Sequence, residues 1–289
     1  MVRLVSAVLV LVPLLSVLRV TSAFGAPATG PSGTPATAPA TRPAVDPALL
    51  TRYAARTLAS AAVPGGSLNY RLLVPDGYDP MAAAAYPLLL QLHGAGERGT
   101  DNARQLIWGG AQLATKLQAA GPCFVVAPQC PPGKQWVNTP WAKGSYSTAA
   151  VPISDELKMA IEAVEKAAVE FKIDRSRIYV MGLSMGGYGT WDAIARRPDL
   201  FAAAVPICGG GDPAAAARLK AIPIRVFHGG ADPVVPPAAS RDMAAALKAA
   251  GATDATLTYT EFPGVAHNAW TPAWETPGLF EWLLAQKRR

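Results

Sequence analysis

Three residues have the types and the spacing for nucleophilic catalysis. The first is Ser184, at the centre of Gly182-Leu183-Ser184-Met185-Gly186. An apolar run, residues 178–181, precedes this pentapeptide, and Tyr188, Trp191 and Ile194 follow it at helical spacing. A serine on a sharp turn between a strand and a helix presents its Oγ to solvent, and small neighbours let the two elements approach closely. The start of the helix then offers free N–H groups to developing negative charge. A serine nucleophile needs a base, and the chain has only three histidines, His93, His228 and His267. His93 and His228 close apolar runs, whereas His267 stands in a loop-like stretch near the end. The base needs an acid to fix its tautomer. Asp232 lies 48 residues after Ser184 and 35 before His267, followed by a stiff Pro-Val-Val-Pro. Asp212, after Gly209-Gly210-Gly211, is the alternative acid, and its place in a triglycine turn already accounts for a polar residue.

A tetrahedral intermediate also needs donors for its oxyanion. His93-Gly94-Ala95-Gly96 follows the apolar run 86–92, and glycine keeps bulk away from a backbone N–H that must point at the site. The N–H groups of Ala95 and Met185 are the expected pair. Glu97, Arg98, Asp101 and Asn102 are expected to order this loop and the helix after it. Trp136, Trp141 and Trp270 lie in irregular stretches at strand ends and are candidates for substrate contact; capping of the domain surface is the alternative for Trp136 and Trp141.

The elements that must hold these residues are legible from periodicity. Residues 68–75, 86–92, 123–129, 178–183, 201–207, 222–228 and 257–262 read as strands. Several are nearly continuous apolar runs, as in a sheet covered on both faces. Residues 47–62 read as a leading helix stopped by Pro64-Gly65-Gly66, 238–250 as a helix ended by Gly251, and 279–289 as a closing amphipathic helix. Ser154 starts another helix, with Asp155 and Glu156 in the first turn and Leu157, Ile161, Val164, Ala168 and Phe171 along one face. Alternating strands and helices predict an α/β class protein with a mostly parallel central sheet and helices on both faces, the α/β-hydrolase fold. The order Ser, Asp, His is the one that fold uses.

Composition bounds the partners. The chain has 289 residues, 51% hydrophobic and 16% charged, enough for one sizeable core. The +6 formal charge is scattered without a Lys/Arg block, so no nucleic-acid partner is expected. Residues 1–23, with Arg3 ahead of a Val/Leu run, read as a secretory signal cleaved after Ala23 or Gly25. Residues 24–46 are rich in Ala, Pro and Thr and read as a disordered linker, leaving 47–289 as the domain. The expected localisation is secreted or cell-envelope, with no stable membrane insertion after cleavage. Cys123, Cys130 and Cys208 do not form a disulfide scaffold; in one extended strand Cys123 and Cys130 would stand ~20 Å or more apart. No Cys/His cluster has metal spacing, and neither a metal nor an organic cofactor is expected.

Six stretches, LHGAGERGTDN (92–102), FVVAPQCP (124–131), GLSMGGYGTWD (182–192), PICGGGD (206–212), FHGGADPVVP (227–236) and GVAHNAW (264–270), carry a family resemblance. In this order they resemble secreted bacterial α/β-hydrolases of the phospholipase/carboxylesterase and polyhydroxybutyrate-depolymerase-like kind, relatives of feruloyl and acetyl-xylan esterases and at times labelled peptidases. The resemblance implies a carboxylic-ester hydrolase acting on a small-molecule or polymer-borne ester, and it carries Ser184, Asp232 and His267 over as nucleophile, acid and base. A serine peptidase of the same fold and a catalytically silent binding protein on this scaffold are the alternatives.

Overall fold

The computed structural model describes residues 44–288. The signal segment, and the linker as far as residue 43, lie outside the described residues. Eight strands form one sheet in the order β1-β2-β4-β3-β5-β6-β7-β8. They are β1 (Ala54–Ala59), β2 (Ser67–Leu73), β3 (Tyr86–Leu92), β4 (Phe124–Pro128), β5 (Ile173–Leu183), β6 (Ala203–Ile207), β7 (Ile224–Gly229) and β8 (Leu257–Phe262). β1 and β2 pair antiparallel, as do β2 and β4. Every other pairing is parallel, as the apolar runs predict.

Alternate residues of the central strands feed two cores, one on each face. Leu88, Leu90, Ile178, Val180, Phe124 and Val126 point into one. Leu89, Tyr179, Met181, Val125 and Ala127 point into the other. The first face is covered by α2 (Asp155–Glu170), α3 (Met185–Arg196) and α4 (Ala238–Ala249), through residues such as Leu157, Trp191 and Met243. The opposite face is covered in part by α5 (Leu279–Ala285), through Leu279, Phe280 and Leu283. Ser154 caps α2: its Oγ accepts from the Leu157 N–H at 3.1 Å and donates to the Trp136 carbonyl at 2.7 Å. The two ends of the sheet differ from its middle. Only Leu257 is buried in edge strand β8, whereas β4 and β6 are buried throughout.

Two expectations are corrected. The leading helix ends early: α1 spans Pro47–Arg52, Tyr53 is extended, and 54–59 form β1. Tertiary partners override the weak local preference there. Tyr53 is buried with its OH donating to the Gly110 carbonyl at 2.9 Å, and the open edge of β2 takes up the following backbone. The closing helix stops at Ala285, where Gln286 turns extended.

The centre of the sheet fixes where α3 can run. A Cβ at Gly186 would lie 1.9 Å from the Leu92 carbonyl oxygen, and one at Gly182 would lie 2.4 Å from the Gly186 oxygen. Both obstacles are backbone, so neither can swing away. We therefore expect Gly186→Ala to lower unfolding free energy by about 3 kcal/mol or more in urea titrations. A variant with wild-type stability would show that the helix can lift off β3 freely.

Candidate active site

Ser184 is the turn residue between β5 and α3, with φ 54° and ψ −119°, a conformation a serine rarely adopts. Its N–H donates to the Ile207 carbonyl at 2.8 Å, and its own carbonyl accepts from the Tyr188 N–H at 3.1 Å. The turn is thereby tied to β6 on one side and to the helix on the other. The parallel strands beside β5 bring the remaining residues to the same end of the sheet. Asp232 lies in the loop after β7 and His267 in the loop after β8.

The three expected residues meet. Ser184 Oγ is 2.8 Å from His267 Nε2, and His267 Nδ1 is 2.7 Å from Asp232 Oδ2. A carboxylate oxygen only accepts, so Nδ1 carries the ring proton and Nε2 presents a lone pair to the serine hydroxyl. Asp232 is fastened from both ends, because Oδ1 accepts from the N–H groups of Val234 at 2.8 Å and Val235 at 3.0 Å. Burial would raise its pKa, but hydrogen bonds from His228, His267 and those two amides outweigh it and hold the carboxyl well below the usual range. Asp212 is engaged elsewhere. It accepts from the Thr148 N–H and hydroxyl at 2.8 and 2.7 Å and from the Ala214 N–H at 3.0 Å, so it anchors a loop.

The loop after β3 is held by a residue that the sequence reading placed only at its start. His93 is buried, and its Nδ1 lies 2.6 Å from the Gly94 carbonyl while its Nε2 accepts from the Cys130 N–H at 2.9 Å. Burial drives its pKa down to about 4, against the opposing pull of the Gly94 bond, so the ring is neutral. A trans peptide is planar with its C=O and N–H antiparallel, so pinning the Gly94 carbonyl points the Ala95 N–H the opposite way within that plane. Ala95 opens a 3₁₀ turn, Ala95–Glu97, and Met185 opens α3; the N–H of a first helical residue has no acceptor in its own helix. Asp101 and Asn102 order the loop as expected. Gln129 bridges them, donating to Asp101 at 2.7 Å and accepting from the Asn102 N–H at 2.7 Å.

A cavity of about 270 Å³ opens over Ser184 and His267, walled by Ala95, Trp108, Trp141, Val234 and Trp270. Trp270 meets His267 edge-on at 5.4 Å, and Trp108 tilts against Trp270 at 6.0 Å. The Arg98 guanidinium lies 5.9 Å over the Trp141 ring. Trp108 and Val234 are 37% and 45% exposed, so the mouth has an apolar rim. Cavities of about 560 and 570 Å³ lie elsewhere, and no wall of theirs sets a nucleophile beside a base. Trp136 is a correction: it is fully buried, it donates from Nε1 to the His93 carbonyl at 3.0 Å, and it supports the loop from behind without reaching the cavity. Trp108 went unread, although an aromatic before Gly109-Gly110, downstream of the His-Gly loop, carries the same strand-end signal as Trp141.

The cysteines are all free and buried. Among the described residues one group has metal-ligand spacing, Cys208, Asp232 and His267. It does not fit an ion. Burial and the neighbouring Asp232 push the Cys208 thiol up to about 12, its Sγ–H donates to the His267 carbonyl at 3.2 Å, and the other two are bonded to each other.

The neutral, buried His93 makes stability depend on pH. Its folded pKa of about 4 lies below the ordinary histidine value, so the unfolded chain binds the extra proton first. Its contribution is complete above about pH 6.5 and is lost as pH falls toward 4, about 3 kcal/mol in all. Urea titrations over that window should show this loss in the wild type and a smaller one in His93→Gln; equal slopes would refute it.

Comparison with known proteins agrees with the fold. Residues 135–273 match the model of the dienelactone hydrolase family. A solved thermostable esterase superposes with a TM-score of 0.74 at 40% identity, covering 83% of this chain and 64% of its own. The chain is 28% identical over 186 residues to the inferred esterase NocK of Nocardia uniformis subsp. tsuyamanensis, across 63% of this chain and 50% of NocK. It is 29% identical over 167 residues to poly(3-hydroxyalkanoate) depolymerase C of Paucimonas lemoignei, across 55% of this chain and 35% of that protein. The chain thus spans about half of the first relative and about a third of the second. On sequence, sheet order and structural likeness together, the chain has an α/β-hydrolase fold, and its residues 135–273 are similar to the dienelactone hydrolase family.

Proposed function

We propose that this protein is a secreted serine carboxylic-ester hydrolase that works through an acyl-enzyme on small or soluble esters. The observation that carries the reading is the hydrogen-bonded chain from Ser184 Oγ through His267 to Asp232, at 2.8 and 2.7 Å, at the floor of an apolar cavity. In the first half-reaction His267 Nε2 takes the Ser184 proton as Oγ attacks the ester carbonyl. The N–H groups of Ala95 and Met185 hold the oxyanion. His267 then gives its proton to the departing alcohol. In the second half-reaction His267 takes a proton from water, the resulting hydroxide attacks the acyl carbon, and Ser184 Oγ leaves with that proton. Asp232 stays ionised throughout and stabilises the imidazolium.

The cavity of about 270 Å³ supports a small acyl or alcohol group inside, with the apolar rim at Trp108 and Val234 receiving the remainder. Export rests on the positively started Val/Leu run at residues 1–23. Among the described residues no helix is long and apolar enough to cross a membrane.

The deciding experiment is a panel of p-nitrophenyl esters from acetate to palmitate, methyl ferulate, acetylated xylan, a short polyhydroxybutyrate and a peptide nitroanilide. Short-chain esters should be cleaved best, and Ser184→Ala should lose on the order of 10⁴-fold or more in kcat. Cleavage of the nitroanilide alone would replace the esterase reading by a peptidase one, and undiminished esterolysis by Ser184→Ala would overturn the nucleophile. Asp232→Asn should cost on the order of 10³- to 10⁴-fold in kcat, and Asp212→Asn less than about tenfold. The reverse ranking would move the acid to Asp212.

A further inference from the structure

His228 is the second-last residue of β7 and is completely buried, away from the cavity. Its Nε2 has two neighbours, the Val235 carbonyl at 3.1 Å and Asp232 Oδ2 at 3.3 Å. Both only accept, so Nε2 must carry a hydrogen. Its Nδ1 lies 2.7 Å from Ser240 Oγ, which in turn lies 3.1 Å from the Gly209 carbonyl. Ser240 has one hydroxyl proton for those two acceptors. If it goes to Nδ1, the ring is neutral with its hydrogen on Nε2. If it goes to Gly209, Nδ1 must be protonated as well, which makes the buried ring a cation. Complete burial of the ring selects the first arrangement, which keeps it neutral.

We infer, on the reading of Asp232 as the acid, that His228 is a positioning residue: its Nε2–H, shared with the Val235 carbonyl, reaches the same Asp232 oxygen that serves His267, and Ser240 locks the tautomer that allows it. Asp232 then has four donors, Val234 and Val235 on Oδ1 and the two histidines on Oδ2. So held, the carboxylate cannot rotate away from His267, and part of its charge is spread toward His228. Few other charges bear on the pair. Glu261 lies opposite His228 in the β7–β8 register but is bound by Arg241 and Tyr259. Cys208, at the end of neighbouring β6, holds its proton.

Without the His228 donor the Asp232 charge bears more fully on His267 and favours its protonated form. For His228→Leu we expect a fall in kcat on the order of tenfold with KM within about twofold, and an acid limb of the pH–rate profile about half a unit higher. His228→Gln, whose amide N–H reaches a similar point, should recover most of both effects. Packing alone would not move the acid limb, so a folded His228→Leu with unchanged kcat and limb overturns the inference. A second measurement does not depend on any variant folding. With only three histidines, ¹⁵N-histidine NMR of the wild-type protein resolves each ring. A neutral Nε2–H tautomer for His228 near pH 7 is expected, and an Nδ1–H or doubly protonated ring overturns the inference. A wild-type protein inert toward every ester would sink the esterase reading while leaving the tautomer result in force.

Discussion

The contact on which the rest of this structure depends is the approach of α3 to the middle of the sheet. No side-chain atom fits between Gly186 and the Leu92 carbonyl, or between Gly182 and Gly186. That closeness forces the turn, and the turn forces Ser184 into its uncommon backbone conformation with Oγ raised. The same contact sets the strand that leads to Ser184 beside the strand that leads to His93, so the serine and the Gly94–Ala95 peptide come together through one packing event. Chemistry at this site is thus a by-product of how tightly two backbones can be placed.

The polar side chains around the site share a pattern. Each is held by partners that leave it one role. His93 gives one nitrogen to Gly94 and the other to Cys130; Asp232 accepts on both oxygens; His267 has a carboxylate behind it and a hydroxyl before it. A side chain with all its partners assigned pays little reorganisation when charge moves, which is the physical content of a preorganised site. The cost of burial is visible in the depressed pKa of His93, whereas at Asp232 the hydrogen bonds outweigh it and depress the pKa.

Much of this was legible in the chain. The elbow, the His-Gly loop, the covered strands and the order of Ser184, Asp232 and His267 follow from local pattern, because each depends on residues near one another in sequence. What escaped depends on distant partners. β1 has little hydrophobic alternation of its own and becomes a strand because β2 has an open edge. Trp136 looks like any loop aromatic until the carbonyl it serves, 43 residues earlier, is placed beneath it. His93 and His228 end apolar runs and read as turn residues; only the fold shows which atoms their rings bind. Trp108 carried a fair signal, and the walls of the cavity confirm how far its loop reaches.

The sheet distributes the site unevenly. Ser184 and the Gly94–Ala95 loop ride on β5 and β3, deep in the middle, whereas His267 follows β8, an outermost strand with a single buried residue. Edge strands open more readily than central ones. Heat should therefore release the loop bearing His267 while the centre of the sheet is still folded, and the Ser184–His267 contact would part before the protein melts.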